Sequence, residues 1–239
     1  MEGMEWFRKL RNSVRGKPKE IIDPNWPTWY QSYFSGFNYL APKGQPVKEV
    51  KIVVIDAETT GLDVAADRLL SLGALRVRGN TIHLQQQFEA YCPTPLDHYD
   101  AKAVAIHGII PNSERYTYSK EADMLEQFLD FLGDQIIVGH HIGFDVEMIN
   151  RALVRLGASK LKNRVVDTAV LAERLQPTGY WTPPDQFSLD KLARRYKIPL
   201  SDRHTALGDA YITAVLWLKL IARLQEKSRK DLVAEDLWR

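Results

Sequence analysis

The sequence predicts an α/β domain built on a mixed sheet, and three observations carry that expectation. Apolar, β-branched stretches come first and close together, at about 50–56, 69–77 and 82–88, and the last two flank the hairpin-type turn Arg78-Gly79-Asn80-Thr81. Short strand-like segments then alternate with helix-length segments whose apolar residues recur every three or four positions. The chain has 239 residues, 45% of them hydrophobic and 26% charged, which is enough for the core of one large domain.

Taken in order, residues 1–48 read as a basic and aromatic N-terminal extension, with eight Lys/Arg against four Asp/Glu. Met4, Phe7, Leu10 and Val14 could share one face of a short helix. Trp26, Trp29, Tyr30, Tyr33, Phe34 and Phe37 follow helical spacing. Pro24 or Pro27 suits that helix's first turn, and Asp23 or Asn25 its cap. This aromatic face admits three uses: packing on the main domain, docking a partner, or stacking on single-stranded bases. Residues 41–48 read as a linker.

The main domain is expected over 49–225, and 226–239 form a charged C-terminal tail with Leu232, Val233, Leu237 and Trp238 as possible anchors. Ile82, Leu84 and Phe88 continue the third strand in near alternation. Helices are expected at about 119–132, 144–156, 167–175, 188–196 and 205–224, and short strands at 135–139 and 164–166. Gly157 suits the end of the second helix, and Ser188 the start of the fourth. The loop 176–187 holds four Gly/Pro, and its Tyr180 and Trp181 are candidates for either substrate contact or surface packing.

Composition excludes several classes. A single cysteine, Cys92, allows no internal disulfide framework and suits a reducing, cytoplasmic setting. Apolar runs fall far short of the roughly 20 residues that span a bilayer, so no membrane association is expected. No apolar segment follows the basic N-terminus, so no secretory signal is expected, and Glu2 and Glu5 weaken an organelle-import reading. Net charge is +2 overall. The surplus sits in the extension, which is unlike a general nucleic-acid coat protein.

The chemistry starts at Ile52-Val53-Val54-Ile55-Asp56-Ala57-Glu58. A strand alternates faces with period two, so Asp56 and Glu58 project from the same face at its C-terminal end. Two adjacent carboxylates repel unless cations lie between them, and hard oxygen ligands suit Mg²⁺ or Mn²⁺. Asp145 falls in the first turn of a helix directly after a buried strand. Asp209 lies near the start of the last helix, with His204 five residues before it. Five residues of helix turn through about 140°, so both can serve one site only if His204 lies at the helix start or on the loop before it.

These segments together resemble the DEDDh exonuclease family, which includes the epsilon proofreading subunits of bacterial replicative polymerases. Asp56-Ala57-Glu58-Thr59-Thr60-Gly61-Leu62 resembles its first motif, Gly139–Asp145 its second, and His204-Thr205-Ala206-Leu207-Gly208-Asp209 its third. Ile106-His107-Gly108-Ile109, Val166-Asp167-Thr168 and Ser188-Leu189-Asp190-Lys191-Leu192 also resemble family segments in order, over roughly 50–222. His141 stands where the family usually has Asn.

The resemblance implies a ribonuclease H-like mixed sheet: a three-strand antiparallel meander plus shorter parallel strands, flanked by helices. It implies two ions, Mg²⁺ or Mn²⁺, held by Asp56, Glu58, Asp145 and Asp209, with His204 as the proton acceptor. Thr59, Thr60, Gly61, Leu62, His107 and His141 would contact substrate, with Leu62 wedged against the terminal base. For Leu62 and His107, plain packing is the alternative. His83 and His98 are expected in solvent, and His140 in packing or hydrogen bonding beside the site.

The implied reaction is release of nucleoside 5′-monophosphates from the 3′ end of single-stranded DNA, in proofreading or repair. RNA 3′ ends and a non-catalytic strand- or polymerase-binding module are the alternatives. A polymerase or other protein could bind through residues 1–48 or the tail.

Overall fold

The computed structural model describes residues 21–37, 44–93, 101–110, 113–177, 179, 183 and 185–238. Expectations placed on Met4, Phe7, Leu10, Val14, His98, Tyr180 and Trp181 fall outside these residues.

Five strands form one sheet in the order β3-β2-β1-β4-β5. β1 (Lys51–Thr59), β2 (Leu69–Arg78) and β3 (Thr81–Tyr91) make the antiparallel meander. β4 (Ile136–Gly139) runs parallel to β1, and β5 (Val165–Asp167) parallel to β4. The expected mixed sheet is therefore present.

β1 is central and apolar on both faces, as strands covered on both sides are. Val53 and Ile55 join one core cluster, and Ile52 and Val54 the other. The first cluster is closed by α1 (Thr28–Ser35), α3 (Glu121–Leu132) and α4 (Gly143–Arg155). In α3, Met124, Leu125, Phe128, Leu129 and Leu132 are all buried, as their helical spacing requires. The second cluster is closed by α5 (Thr168–Glu173), α6 (Leu189–Tyr196) and α7 (Ala206–Ser228). The stripe Ala210, Ala214, Trp217, Ile221 and Leu224 of α7 is buried throughout, and Trp217 is among the largest enclosed side chains.

Several local expectations differ from the structure. Ile82 and Phe88, even-spaced on β3, should share a face, yet Ile82 packs on the α7 side and Phe88 on the α3 side. The cause is a register shift: Leu75 pairs with Gln87, but the next residue, Arg76, pairs with His83. The extra residues 84–86 reverse the alternation and leave Leu84 exposed. A short helix, α2 (Ala101–His107), was not foreseen. α1 begins after Pro27, which occupies the N-cap position. Asp23 does not cap it but accepts the Asn25 N–H in the preceding turn. Ser188 occupies the N-cap position of α6 without a side-chain bond.

The aromatic face of α1 packs inward. Tyr30, Tyr33 and Phe34 are buried, and the Tyr30 hydroxyl donates to the Lys160 carbonyl at 2.6 Å. Part of the expected linker is also structural: Val47 is buried, and its N–H donates to the Leu232 carbonyl. The tail returns over the α7 side. Leu232, Ala234 and Leu237 are buried there, and the Trp238 indole donates to the Val165 carbonyl at 2.9 Å. Apolar side chains in both segments find core surface, and this draws them in.

Candidate active site

β1 runs into the site from the core. Asp56 and Glu58 continue the face of Ile52 and Val54, the face under α7. Opposite them on β2 stand Gly73 and Ser71. A Cβ at Gly73 would lie 2.3 Å from the backbone of Ala206 and Leu207. Glycine at that position lets the first turn of α7 rest directly on the sheet beside Asp56. That contact brings Asp209, in the first turn of α7, to the two strand carboxylates. Asp56, Glu58 and Asp209 each offer an oxygen within 4.8 Å of the others.

Asp145 arrives from the other side, in the first turn of α4 directly after β4. It does not join that tight triplet. Its Oδ1 accepts the N–H of Ala57, between Asp56 and Glu58, at 2.9 Å. His204 lies on the loop just before Thr205, the N-cap of α7, whose hydroxyl accepts the Gly208 N–H at 3.1 Å. Its backbone is left-handed, φ 65°, and its N–H donates to Asp209 Oδ2 at 3.3 Å. The geometric condition for His204 and Asp209 to share a site is met.

Concentrated negative charge dominates the electrostatics. Burial, then repulsion from Asp145, Asp209 and Glu58, pushes the Asp56 carboxyl well above its usual range. Burial, then Asp209 and Asp145, pushes Glu58 up to about 8. Burial lifts Asp145 to about 7 against the backbone donors that stabilise its charge. Asp209 is also raised by burial, although Arg203 opposes the shift. Its Oδ1 is buried without a hydrogen-bond partner among the described residues. Four crowded oxygen donors, one of them orphaned, fit a hard divalent cation.

Arg203 is a residue that sequence reasoning missed. It lies between two acids, bonded to Asp190 Oδ1 at 2.7 Å and to Asp209 Oδ2. Its guanidinium also lies 3.4 Å from His204 Nδ1. Only its position beside His204 in the third motif could have drawn attention to it.

The turn after Glu58 carries the other expected contacts. The Thr59 hydroxyl donates to the Gly61 carbonyl at 2.7 Å. The Thr60 hydroxyl donates to Asp67 Oδ1 at 2.6 Å and accepts the Arg68 N–H. Asp67 also takes the space a Cβ on Gly61 would need, 2.6 Å away, so the glycine serves this internal brace as well as any ligand. Asp67 was not foreseen. Leu62, beyond the brace, is 86% exposed, so the packing alternative fails for it.

His107 is buried at the end of α2. Its Nδ1 accepts the Ile109 N–H at 3.0 Å, and its Nε2 has no partner among the described residues. His141 is exposed, with φ 51°, a conformation Asn and His tolerate better than most residues. Its N–H donates to Asp167 Oδ1 at 3.1 Å. His140 Nδ1 contacts the Thr168 hydroxyl at 2.9 Å, and burial together with His141 lowers its pKa to about 4.

Comparisons with known proteins bear on the family and the fold. The model of a family described as exonuclease matches residues 53–216. The chain is 30% identical over 180 residues to the PolC-type DNA polymerase III of Latilactobacillus sakei, and 31% over 182 residues to that of Bacillus subtilis. These alignments cover 74% and 76% of this chain but only 12% of each relative. Among solved structures, E. coli Exonuclease I in complex with a dT13 oligonucleotide superposes with a TM-score of 0.63 at 24% identity, over 76% of this chain and 43% of that one. That likeness speaks for the fold. The family match spans more than half of the chain, and the chain therefore belongs to the exonuclease family, of DEDDh type within the ribonuclease H-like superfamily.

Proposed function

We propose that this protein removes nucleotides one at a time from the 3′ ends of single-stranded DNA, releasing nucleoside 5′-monophosphates, in proofreading or repair. The observation that carries the reading is the meeting of Asp56, Glu58 and Asp209 within 4.8 Å, with Asp145 bonded to the same strand end. Support for DNA over RNA comes from Exonuclease I, whose solved complexes hold dT13 and dA16 oligonucleotides.

Asp56, Glu58 and Asp209 would hold one Mg²⁺ or Mn²⁺, and Asp56 with Asp145 a second. Bound ions of this kind acidify water and neutralise charge on phosphate and leaving oxygens. His204 accepts the proton of the attacking water, a task suited to an imidazole near neutral pH. The braced turn Thr59-Thr60-Gly61 presents backbone groups to the terminal nucleotide, and exposed Leu62 wedges against its base. His107, whose Nε2 has no partner among the described residues, faces the terminal sugar or base, and His141 lies beside the scissile phosphate. An adapter role through residues 1–48 or the tail would coexist with this activity.

The test is a panel of matched DNA and RNA oligonucleotides, labelled at either end, with Mg²⁺ or Mn²⁺. The expected result is laddered loss from the 3′ end of DNA, with monophosphate products. Faster loss from RNA would reassign the substrate, and attack from the 5′ end would overturn the polarity. In the same assay, near wild-type cleavage by His204→Ala would remove His204 as the proton acceptor.

A further inference from the structure

Arg203 brings a cation into a site otherwise made of carboxylates. Its guanidinium bonds Asp209 Oδ2, the carboxylate that closes the tight triplet with Asp56 and Glu58. The Arg203 side chain is about three-quarters covered, and Asp209 is 4% exposed, so solvent screens this pair little. A carboxylate oxygen bonded to a guanidinium is a poorer ligand for a divalent cation, because both positive groups draw on the same charge.

Arg203 has a second anchor. Asp190, at the first turn of α6, accepts from its Nε at 2.7 Å and is more exposed than Asp209. Burial works against the charge of Arg203, but Asp190, Asp209 and Asp56 outweigh it, so the group stays cationic. The guanidinium can therefore give up Asp209 without losing its charge partner.

We propose that Arg203 is a built-in competitor for the divalent cation: it shares Asp209 with the ion, sets the ion concentration at which the site loads, and is drawn onto Asp190 when the ion binds. Arg203 is thus a positioning residue, acting on the ion through Asp209. The inference rests on the reading of the carboxylates as a cation site.

The experiment measures Mn²⁺ binding to the full chain by electron paramagnetic resonance, without substrate. Arg203→Met keeps the aliphatic stem and removes the charge. Its Mn²⁺ affinity is expected to rise by about tenfold, the change that accompanies loss of a competing contact worth about 1.4 kcal/mol. Asp190→Asn removes the alternative anchor, commits Arg203 to Asp209, and is expected to weaken Mn²⁺ binding. In the Arg203→Met background the same Asp190→Asn change is expected to do much less, because the competitor is gone.

Weaker or unchanged binding in Arg203→Met would overturn the proposal and leave Arg203 as a brace for the 201–205 loop. An equal effect of Asp190→Asn in both backgrounds would also overturn it, since simple loss of negative charge gives that result. Should Arg203→Met fail to fold, unchanged or tighter binding by Asp190→Asn still refutes the competition. No Mn²⁺ binding by the unaltered protein would instead defeat the underlying cation-site reading.

Discussion

The two faces of β1 end differently. On one face Val53 and Ile55 lead to Ala57, and all three pack against the α1–α3–α4 cluster. On the other, Ile52 and Val54 lead to Asp56 and Glu58, under the start of α7. The first face gains from every side chain it covers. The second stops covering apolar surface where the chemistry begins, and its acids are held close against their mutual repulsion. Both faces carry a core, and the second gives up part of its apolar cover at its end for a site.

The largest expected break in that comparison is Asp56→Asn. Activity should fall by more than about 100-fold, the upper range for loss of a mere supporting partner to a ligand. The melting temperature in EDTA should hold or rise, because one repelling charge is gone from the cluster. Retained metal-dependent cleavage would sink the site assignment. Phe128→Ala is the mirror change. Phe128 is fully buried and its ring centroid lies 5.7 Å from that of Phe88. Denaturant unfolding should show a loss of about 3–5 kcal/mol. Under conditions where the variant stays folded, Mn²⁺ binding should be unaltered.

The first-face core and the placement of the four acids at the end of β1 were readable from sequence because each follows a local rule. Asp56 and Glu58 obey a period of two, Met124 to Leu132 a period of 3.6, and Asp145 and Asp209 lie where helices begin after strands or loops. What was missed depends on particular contacts that no periodic pattern encodes. Gly73 matters because α7 crosses it, Asp67 because it bonds back to Thr60, and Arg203 because it lies between Asp190 and Asp209. The slip at residues 84–86 was hidden because alternation in sequence cannot show where pairing skips. Helix α2, Ala-Lys-Ala-Val-Ala-Ile-His, is too short to display a period.

A pH series sharpens the comparison with a smaller effect. Glu58 and Asp145 titrate at about 8 and about 7 when folded. In the unfolded chain such groups titrate at about 4. Between these values the folded protein holds protons that the unfolded chain has released, so stability falls as pH rises from about 4 through about 8. A divalent cation offsets that loss by replacing the protons. The gap in melting temperature between Mn²⁺ and EDTA should therefore widen across this window and narrow in Asp56→Asn. A gap independent of pH would mean that the acids are not strained by one another.

The smallest effect on the fold belongs to Leu62→Ala. Leu62 lies just past the end of β1, yet it is 86% exposed and buries little on either face. Truncating an exposed side chain changes stability by within about 0.5 kcal/mol, so the unfolding curve should overlay that of the unaltered protein. The turn beneath it is held independently, by Thr60 and Asp67, so its backbone should not move. If the side chain wedges against the last base, its loss removes contact with the strand end and leaves the acids in place. KM for single-stranded DNA should then rise several-fold, with Mn²⁺ affinity unchanged. An unaltered KM would show that β1 ends functionally at Glu58, and that the exposed leucine has no part in holding the strand.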